Sequence, residues 1–166
     1  MPSFVWSTIR FEIVVEGDGN CGYRAIARCL KWSESDWALI RRELHAEICA
    51  NFALYSAVFD VHGSDLANML AHLVNERSPF EKPWWVVVPM MGGEVIANIY
   101  QCPVHYFTCV GASMTFLPLT CGVEADKLPI CFAFKNGNHF VALEMDENFP
   151  APPVVAYWRR LAYPVA

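Results

Sequence analysis

Charged residues are scarce in this chain of 166 residues, and no cluster of positive charge occurs. Asp, Glu, Lys and Arg together make up 17% of the sequence, and the formal net charge is −5. Because binding to a nucleic-acid backbone requires grouped Lys and Arg, we expect no nucleic-acid partner. The apolar share of 55% argues against a disordered chain. We expect one folded domain covering residues 1–166, since a chain of this length buries enough surface to fold without disulfides.

Signals for a membrane span and for secretion are also missing. Val95–Val123 contains no Asp, Glu, Lys or Arg. However, its polar residues, prolines and glycine would be too costly within a lipid bilayer. Near the N-terminus, Arg10 and Glu12 interrupt the apolar run that a signal peptide needs. We therefore expect no membrane partner, a cytoplasmic or nuclear location and a monomeric domain.

The cysteines show no Cys-x-x-Cys spacing, which argues against a structural zinc site. Their odd number and the lack of a secretion signal predict free thiols in a reducing compartment. Most should be small buried hydrophobic residues, and we expect neither a metal nor an organic cofactor. The seven are Cys21, Cys29, Cys49, Cys102, Cys109, Cys121 and Cys131.

Helical patterns dominate the first half of the chain and strand patterns the second. This order predicts an α+β domain in which helices pack against a small antiparallel or mixed sheet. One helix carries Trp37, Ile40, Leu44 and Ile48 at helical spacing, and the pair Arg41-Arg42 is expected on its exposed face. Predicted helices are about 21–30, 34–52, 65–76 and 94–100; predicted strands lie within 4–15 and at about 84–88, 104–110, 114–119, 129–134 and 139–145.

Cys21 lies where a glycine-rich turn, Gly17-Asp18-Gly19-Asn20, meets the first predicted helix. The unpaired N–H groups and the dipole of a helix start stabilise a thiolate, which lowers the pKa of the thiol and creates a nucleophile. The same N–H groups can bind the oxyanion that forms when a carbonyl is attacked. Cys21 is therefore the candidate nucleophile.

His139 is the candidate base. It follows the turn signal Asn136-Gly137 and begins an apolar strand, so its ring can reach a cleft. An early cysteine and a late histidine, both at element ends, are typical of papain-like hydrolases. Among the remaining histidines, His45, His62 and His72 are expected on the surface or in the core, and His105 is expected to be a hydrogen-bonded core residue.

The segment Asp18-Gly19-Asn20-Cys21, followed by Tyr23–Ala27, resembles the nucleophile motif of the ovarian-tumour (OTU) family of cysteine proteases. Asn138-His139-Phe140 is similar to the histidine motif of that family. The resemblance implies a papain-like OTU fold and a cysteine-type deubiquitinase, an isopeptidase acting on ubiquitin or polyubiquitin. It implies catalytic roles for Cys21, His139 and Asp18, and an oxyanion loop that includes Gly19 and Asn20.

Further segments resemble OTU-like proteins associated with plant transposable elements. These are Trp84–Tyr100, Leu117-Pro118-Leu119 and the tail Pro152-Pro153 with Trp158-Arg159-Arg160. The resemblance also implies that Val86–Gly93 and the residues flanking His139 wall a groove for an extended peptide tail. Trp84-Trp85 is interpreted as core or groove wall.

The residue that orients the catalytic imidazole is an open question. Many family members carry Asp or Asn two residues after the histidine, where this chain has Val141. Asp18 is the favoured replacement, unless it organises the oxyanion loop, and Asn136 is second. Asn138 and Glu12 are further candidates. The missing polar residue supports a rival hypothesis, a weak or inactive ubiquitin-binding scaffold of the same fold. A third hypothesis is a small-molecule thiol hydrolase, which would share the chemistry but have a closed pocket in place of an open groove.

Overall fold

A computed structural model of the chain describes residues 6–59, 63–74, 92–108, 113–123 and 126–162. The strands are β1 (Ile9–Ile13), β2 (Val104–Thr108), β3 (Met114–Phe116), β4 (Ile130–Lys135) and β5 (His139–Met145). The helices are α1 (Cys21–Cys29), α2 (Trp37–Ala50), α3 (Phe52–Phe59), α4 (Gly63–Val74), α5 (Gly93–Tyr100) and α6 (Trp158–Leu161).

The strands form one mixed sheet in the order β1-β5-β4-β2-β3. β2 pairs with β4 in parallel, with Val104 opposite Ile130, and the other neighbouring strands are antiparallel. The predicted α+β architecture with a mixed sheet is confirmed. β4 and β5 are central to the sheet, and β5 begins at His139, as the sequence predicted.

Alternate residues of the central strands face two apolar layers, as the two-residue period of a strand requires. On one face, Phe132 and Phe140 pack with Ile26 of α1 and with residues of the other long helices. On the opposite face, Val141 and Leu143 form a smaller cluster with buried side chains of β2 and β4. His139 and Val141 therefore belong to the face turned away from the main helical core.

The predicted helix at 34–52 is replaced by three successive elements. The Ser33 side chain accepts a hydrogen bond from the Ser35 N–H (3.3 Å) and thereby caps the start of a 3₁₀ turn at Glu34–Asp36. α2 follows and ends before Asn51, whose φ of −128° and ψ of 40° interrupt the helical geometry. The sequence did not predict α3, because its apolar composition leaves no polar face to reveal the helical period.

The predicted strand at 84–88 and the groove-wall residues 86–91 lie outside the described residues. No helix within the described ranges is long and apolar enough to cross a membrane.

Candidate active site

Cys21 is the first residue of α1, and only 2% of its surface is exposed. The chain reaches it through Gly19, whose φ of 87° lies in the left-handed region that favours glycine. The backbone N–H groups of Phe140 and Gly22 point at the Cys21 sulfur. The thiol is therefore held between the start of α1 and the start of β5, as the predicted pairing with His139 requires.

Burial raises the pKa of the Cys21 thiol above its ordinary value. The amides of Phe140 and Gly22 lower it, and the nearby negative charge of Asp18 raises it further. The lowered pKa expected from the helix start is therefore not what the folded chain has, because desolvation outweighs the amide dipoles. Forming the thiolate requires a base that takes the thiol proton.

The turn before His139 has the geometry that the sequence predicted. Asn136 and Gly137 both have positive φ, at 54° and 67°, and the Asn138 N–H donates to the Lys135 carbonyl (3.1 Å). The His139 ring lies beside the nucleophile loop, since a Cβ atom placed on Gly17 would be 3.7 Å from its Cε1 and Nδ1 atoms. The fold thus brings the loop before Cys21 next to the imidazole.

Asp18 is held by a bidentate ion pair with Arg24. Its carboxylate accepts from Arg24 Nη2 (2.6 Å) and Nε (3.1 Å), and also from the Asn20 N–H (3.1 Å). Partial burial opposes ionisation, but these three donors together lower the pKa of Asp18 below its ordinary value. In this arrangement Asp18 organises the loop before Cys21, which is one of its two expected roles.

Arg41 is buried, so its expected place on an exposed face of α2 was wrong. It is 3% exposed, and its Nη1 donates to the Asn20 side-chain oxygen (3.1 Å), while Nε donates to the Leu73 carbonyl (3.1 Å). Its neighbour Arg42 is exposed, as expected. The sequence contained a signal for the burial of Arg41, because Arg41 is four residues after Trp37 and three before Leu44, on the apolar stripe of the helix.

Three expected orienters of His139 have other surroundings. Asn136 and Asn138 lie in the exposed turn. Glu12 forms an ion pair with Lys135, whose Nζ lies 2.7 and 2.8 Å from its two carboxylate oxygens. Among the described residues, no side chain forms a hydrogen bond with the His139 ring.

The Glu12–Lys135 pair covers the position where the family pattern places a polar residue. Lys135 is opposite His139 on β4, and Glu12 is opposite Leu143 on β1. Because β5 runs between β1 and β4, the pair crosses over Val141, which is buried on the same face as His139. A cross-strand ion pair therefore occupies the space above Val141.

His105 is a hydrogen-bonded core residue, as predicted. Its Nδ1 lies 2.8 Å from the Thr115 hydroxyl, which itself donates to the Pro152 carbonyl (2.7 Å). Because that hydroxyl proton is already used, His105 Nδ1 must be the donor. Burial lowers the pKa of His105 to about 4, so the ring is neutral and structural.

Among the other described cysteines, three have a pKa raised by burial, and a fourth, Cys49, has its sulfur 3.7 Å from His45 Nε2 on the same helix. Burial raises the pKa of Cys29 and of Cys102 to about 11, and it raises the pKa of Cys131 as well. Cys49 is exposed on α2. Within the described ranges, no three His, Cys, Asp or Glu side chains are grouped closely enough to hold a metal ion.

The fold is similar to solved structures of OTU domains. The OTU domain of OTUD1 aligns with a TM-score of 0.58 and 16% identity, over 81% of this chain and 85% of that one. The viral OTU domain protease from Dera Ghazi Khan virus aligns with a TM-score of 0.58 and 15% identity, over 86% and 85% of the two chains. The corresponding protease from Farallon virus gives 0.52 and 13%, over 86% and 87%.

No family model and no curated protein matches the sequence. The structural likeness at these identities establishes the fold, which is that of an OTU domain, as the motifs around Cys21 and His139 predicted.

Proposed function

We propose that this chain is a cysteine-type deubiquitinase that uses Cys21 as nucleophile and His139 as base. The observation that carries the proposal is the meeting of two segments distant in sequence. The Cys21 sulfur lies against the N–H of Phe140, and the His139 ring lies against the loop that leads to Cys21. A thiol and an imidazole at one junction are the minimum for acyl transfer through a thioester.

In the proposed reaction, His139 accepts the proton of the Cys21 thiol as the sulfur attacks the carbonyl at the end of the ubiquitin tail. The tetrahedral intermediate then collapses to a thioester, and His139 returns the proton to the departing amine. Water, deprotonated by His139, hydrolyses the thioester and regenerates the thiol. The raised pKa of Cys21 fits this order, since proton removal accompanies attack.

The proposed oxyanion donors are the N–H groups of Cys21 and Gly22. Both belong to the first turn of α1, where backbone N–H groups have no helical acceptor. Both groups also lie close to the Cys21 sulfur, where the oxyanion would form, whereas the Asn20 N–H donates to Asp18. Asp18 and Asn20 therefore shape the loop, and the first helical amides would stabilise the negative charge.

The remaining features of the proposal follow from the OTU resemblance and the composition. The partner is ubiquitin or polyubiquitin, whose basic tail suits a chain of net charge −5. We infer a single monomeric domain over 1–166 that works in the cytoplasm or nucleus, needs no metal or organic cofactor, and binds neither nucleic acid nor membrane. We also infer from the segments named above that the chain belongs with the OTU-like proteins associated with plant transposable elements.

A ubiquitin probe with a C-terminal propargyl group tests the proposal directly. The unchanged chain should form a covalent adduct one ubiquitin larger, and Cys21→Ala should form none while keeping its thermal midpoint. Cys49→Ser is the matched control, because it removes a thiol that is exposed and should leave labelling intact. An adduct that persists in Cys21→Ala and disappears in Cys49→Ser would overturn the assignment of the nucleophile.

A second candidate, a ubiquitin-binding scaffold of the same fold, is favoured by one specific set of observations. Val141 replaces the polar residue of the family pattern, and no described side chain bonds to the His139 ring. An unoriented imidazole would leave a buried thiol poorly activated. Ubiquitin binding in solution without any probe adduct would select this alternative.

A further inference from the structure

A single buried guanidinium connects the loop before Cys21 to the end of α4. Arg41 donates through Nη1 to the Asn20 side-chain oxygen, and through Nε and Nη2 to the carbonyls of Leu73 and His72. Those two carbonyls lie in the last turn of α4, where backbone carbonyls lack helical partners. Arg41 thus caps one helix and reaches the active-site loop with the same planar group.

The aromatic surroundings fix this guanidinium in place. Its central carbon lies 5.6 Å from the ring centroid of Tyr23 and 5.7 Å from that of Trp37. Arg41 is 3% exposed and Tyr23 1% exposed, so water does not compete for these donors. Hydrogen bonds from a charged donor that is shielded from water are stronger than those at the surface.

Asn20 is the residue through which Arg41 acts on the site. Its N–H donates to Asp18, its carbonyl accepts from the Arg24 N–H, and its side-chain oxygen accepts from Arg41. Three polar groups of one residue are therefore held by three different neighbours. Because Asn20 immediately precedes Cys21, its orientation sets the direction of the first amides of α1.

We propose that Arg41 is a positioning residue that holds Asn20, and hence the oxyanion-binding amides, in the geometry needed for catalysis. This inference rests on the proposed function. A helix cap alone needs only the bonds to His72 and Leu73; the third bond, to Asn20, serves the loop. Lysine cannot replace this group, because one ammonium cannot reach acceptors on two separate segments with fixed geometry.

Turnover of a ubiquitin–dye conjugate tests the proposal with three variants. Asn20→Ala removes the acceptor and leaves the bonds between Arg41 and α4 in place, so folding should be retained. Arg41→Lys removes the planar guanidinium that bonds to both segments. Arg42→Gln, at the exposed neighbouring arginine, is the matched control. We expect Asn20→Ala and Arg41→Lys each to lower kcat by about 10- to 100-fold with KM changed less than about threefold, since misplaced oxyanion donors weaken only the transition state.

The double variant Asn20→Ala/Arg41→Lys should be no slower than the slower single variant, because both changes break the same bond. A kcat within about twofold of the unchanged chain in both single variants would overturn the proposal. The proposal would also be overturned if the fold-loss of kcat in the double variant equalled the product of the fold-losses in the two single variants.

Hydrogen exchange separates failure of this inference from failure of the proposed function. Deuterium uptake in peptides covering 16–23 should rise in Asn20→Ala and Arg41→Lys and stay unchanged in Arg42→Gln. If the unchanged chain turns over no ubiquitin substrate, the proposed function fails, yet raised uptake still shows that Arg41 holds the loop. Unchanged uptake in both variants would overturn the inference whatever the activity.

Discussion

Val141 and His139 lie on the same face of β5, two residues apart. A polar side chain at 141 could therefore hold the imidazole, but a buried valine cannot. The neighbouring Glu12 carboxylate is engaged by Lys135. The candidate site therefore has no described side chain that orients the His139 ring. A single substitution at Val141 tests how much this lowers the rate.

We predict that Val141→Asn raises kcat on a ubiquitin–dye conjugate by about tenfold or more, because an amide next to the ring would hold it in one orientation. The same change should lower the free energy of unfolding by about 1–3 kcal/mol, since it places a polar group in an apolar layer. Val141→Ala is the control for lost packing and should show a loss of stability without a gain in rate. A kcat for Val141→Asn no higher than that of Val141→Ala would contradict the prediction.

Glu94 is a buried acid outside the candidate site. It is fully buried in the first turn of α5; its Oε1 accepts a hydrogen bond from the Tyr157 hydroxyl, and its Oε2 has no hydrogen-bond partner among the described residues. Burial raises the pKa of Glu94 from 4.5 to about 7. The folded chain therefore keeps this proton over a pH range in which the unfolded chain has lost it.

Between pH 4.5 and about 7 the folded state binds more protons than the unfolded state, so the contribution of Glu94 to stability falls as the pH rises. Glu94→Gln removes this titration. We predict that the variant gains about 1–3 kcal/mol over the unchanged chain between pH 5 and pH 8, measured by urea unfolding at each pH. The exposed Glu147→Gln should give no such gain; equal pH profiles for all three chains would refute the assignment.

At the scale of elements, the contact between α5 and β3 depends on the lack of a side chain at Gly93. A Cβ atom at this position would lie 2.2 Å from Cδ2 of the Phe116 ring, which is 1% exposed and cannot move into solvent. The glycine therefore permits the helix to approach the strand closely. The same helix positions Glu94 and the Asn98 side chain, which accepts from the Leu119 N–H (2.6 Å).

We predict that Gly93→Ala lowers the free energy of unfolding by about 2 kcal/mol or more, because the methyl group overlaps a packed ring. Gly122→Ala is a matched control, since a Cβ atom there would have no atom of the described residues within 4 Å, apart from its own chain neighbours. Chemical unfolding of both variants gives the comparison. Loss of stability in Gly122→Ala alone would show that the contact with Phe116 does not limit the packing.

At the scale of the whole molecule, the site combines a helix start, a hairpin and a buried arginine from a second helix. Arg24, Arg41 and the His139 ring contact or lie beside the loop before Cys21 from different elements. In the proposed reaction, the scissile bond must also be positioned over the Cys21 sulfur. Binding energy from a large folded substrate can position that bond.

We therefore predict that a ubiquitin–dye conjugate is cleaved with a kcat/KM about 100-fold or more above that of the short tail peptide carrying the same dye. Contacts with the folded part of ubiquitin would orient the carbonyl over Cys21. Steady-state fluorescence with both substrates measures the ratio. Equal efficiency on the two would favour the small-molecule thiol hydrolase hypothesis.

Local signals were enough to predict the elements that carry the site. The glycine turn before Cys21, the Asn136-Gly137 turn and the apolar strand after His139 each depend on neighbours in sequence, so their structures follow from short-range chemistry. The α+β class with a mixed sheet followed from the order of those elements. The separate helix at Phe52–Phe59 did not, because an apolar segment has no periodic pattern.

The amino-acid sequence by itself thus determined which residues stand at element ends, and the nucleophile and base hypotheses came from those positions. Tertiary structure decided what surrounds them. The hydrogen bond from Arg41 to Asn20, the pairing of Asp18 with Arg24 and the upward shift in the pKa of Cys21 arise from contacts or desolvation created by packing. The local sequence does not reveal these effects. The free energy of ionising a side chain depends on how much water and which dipoles surround it in the folded state.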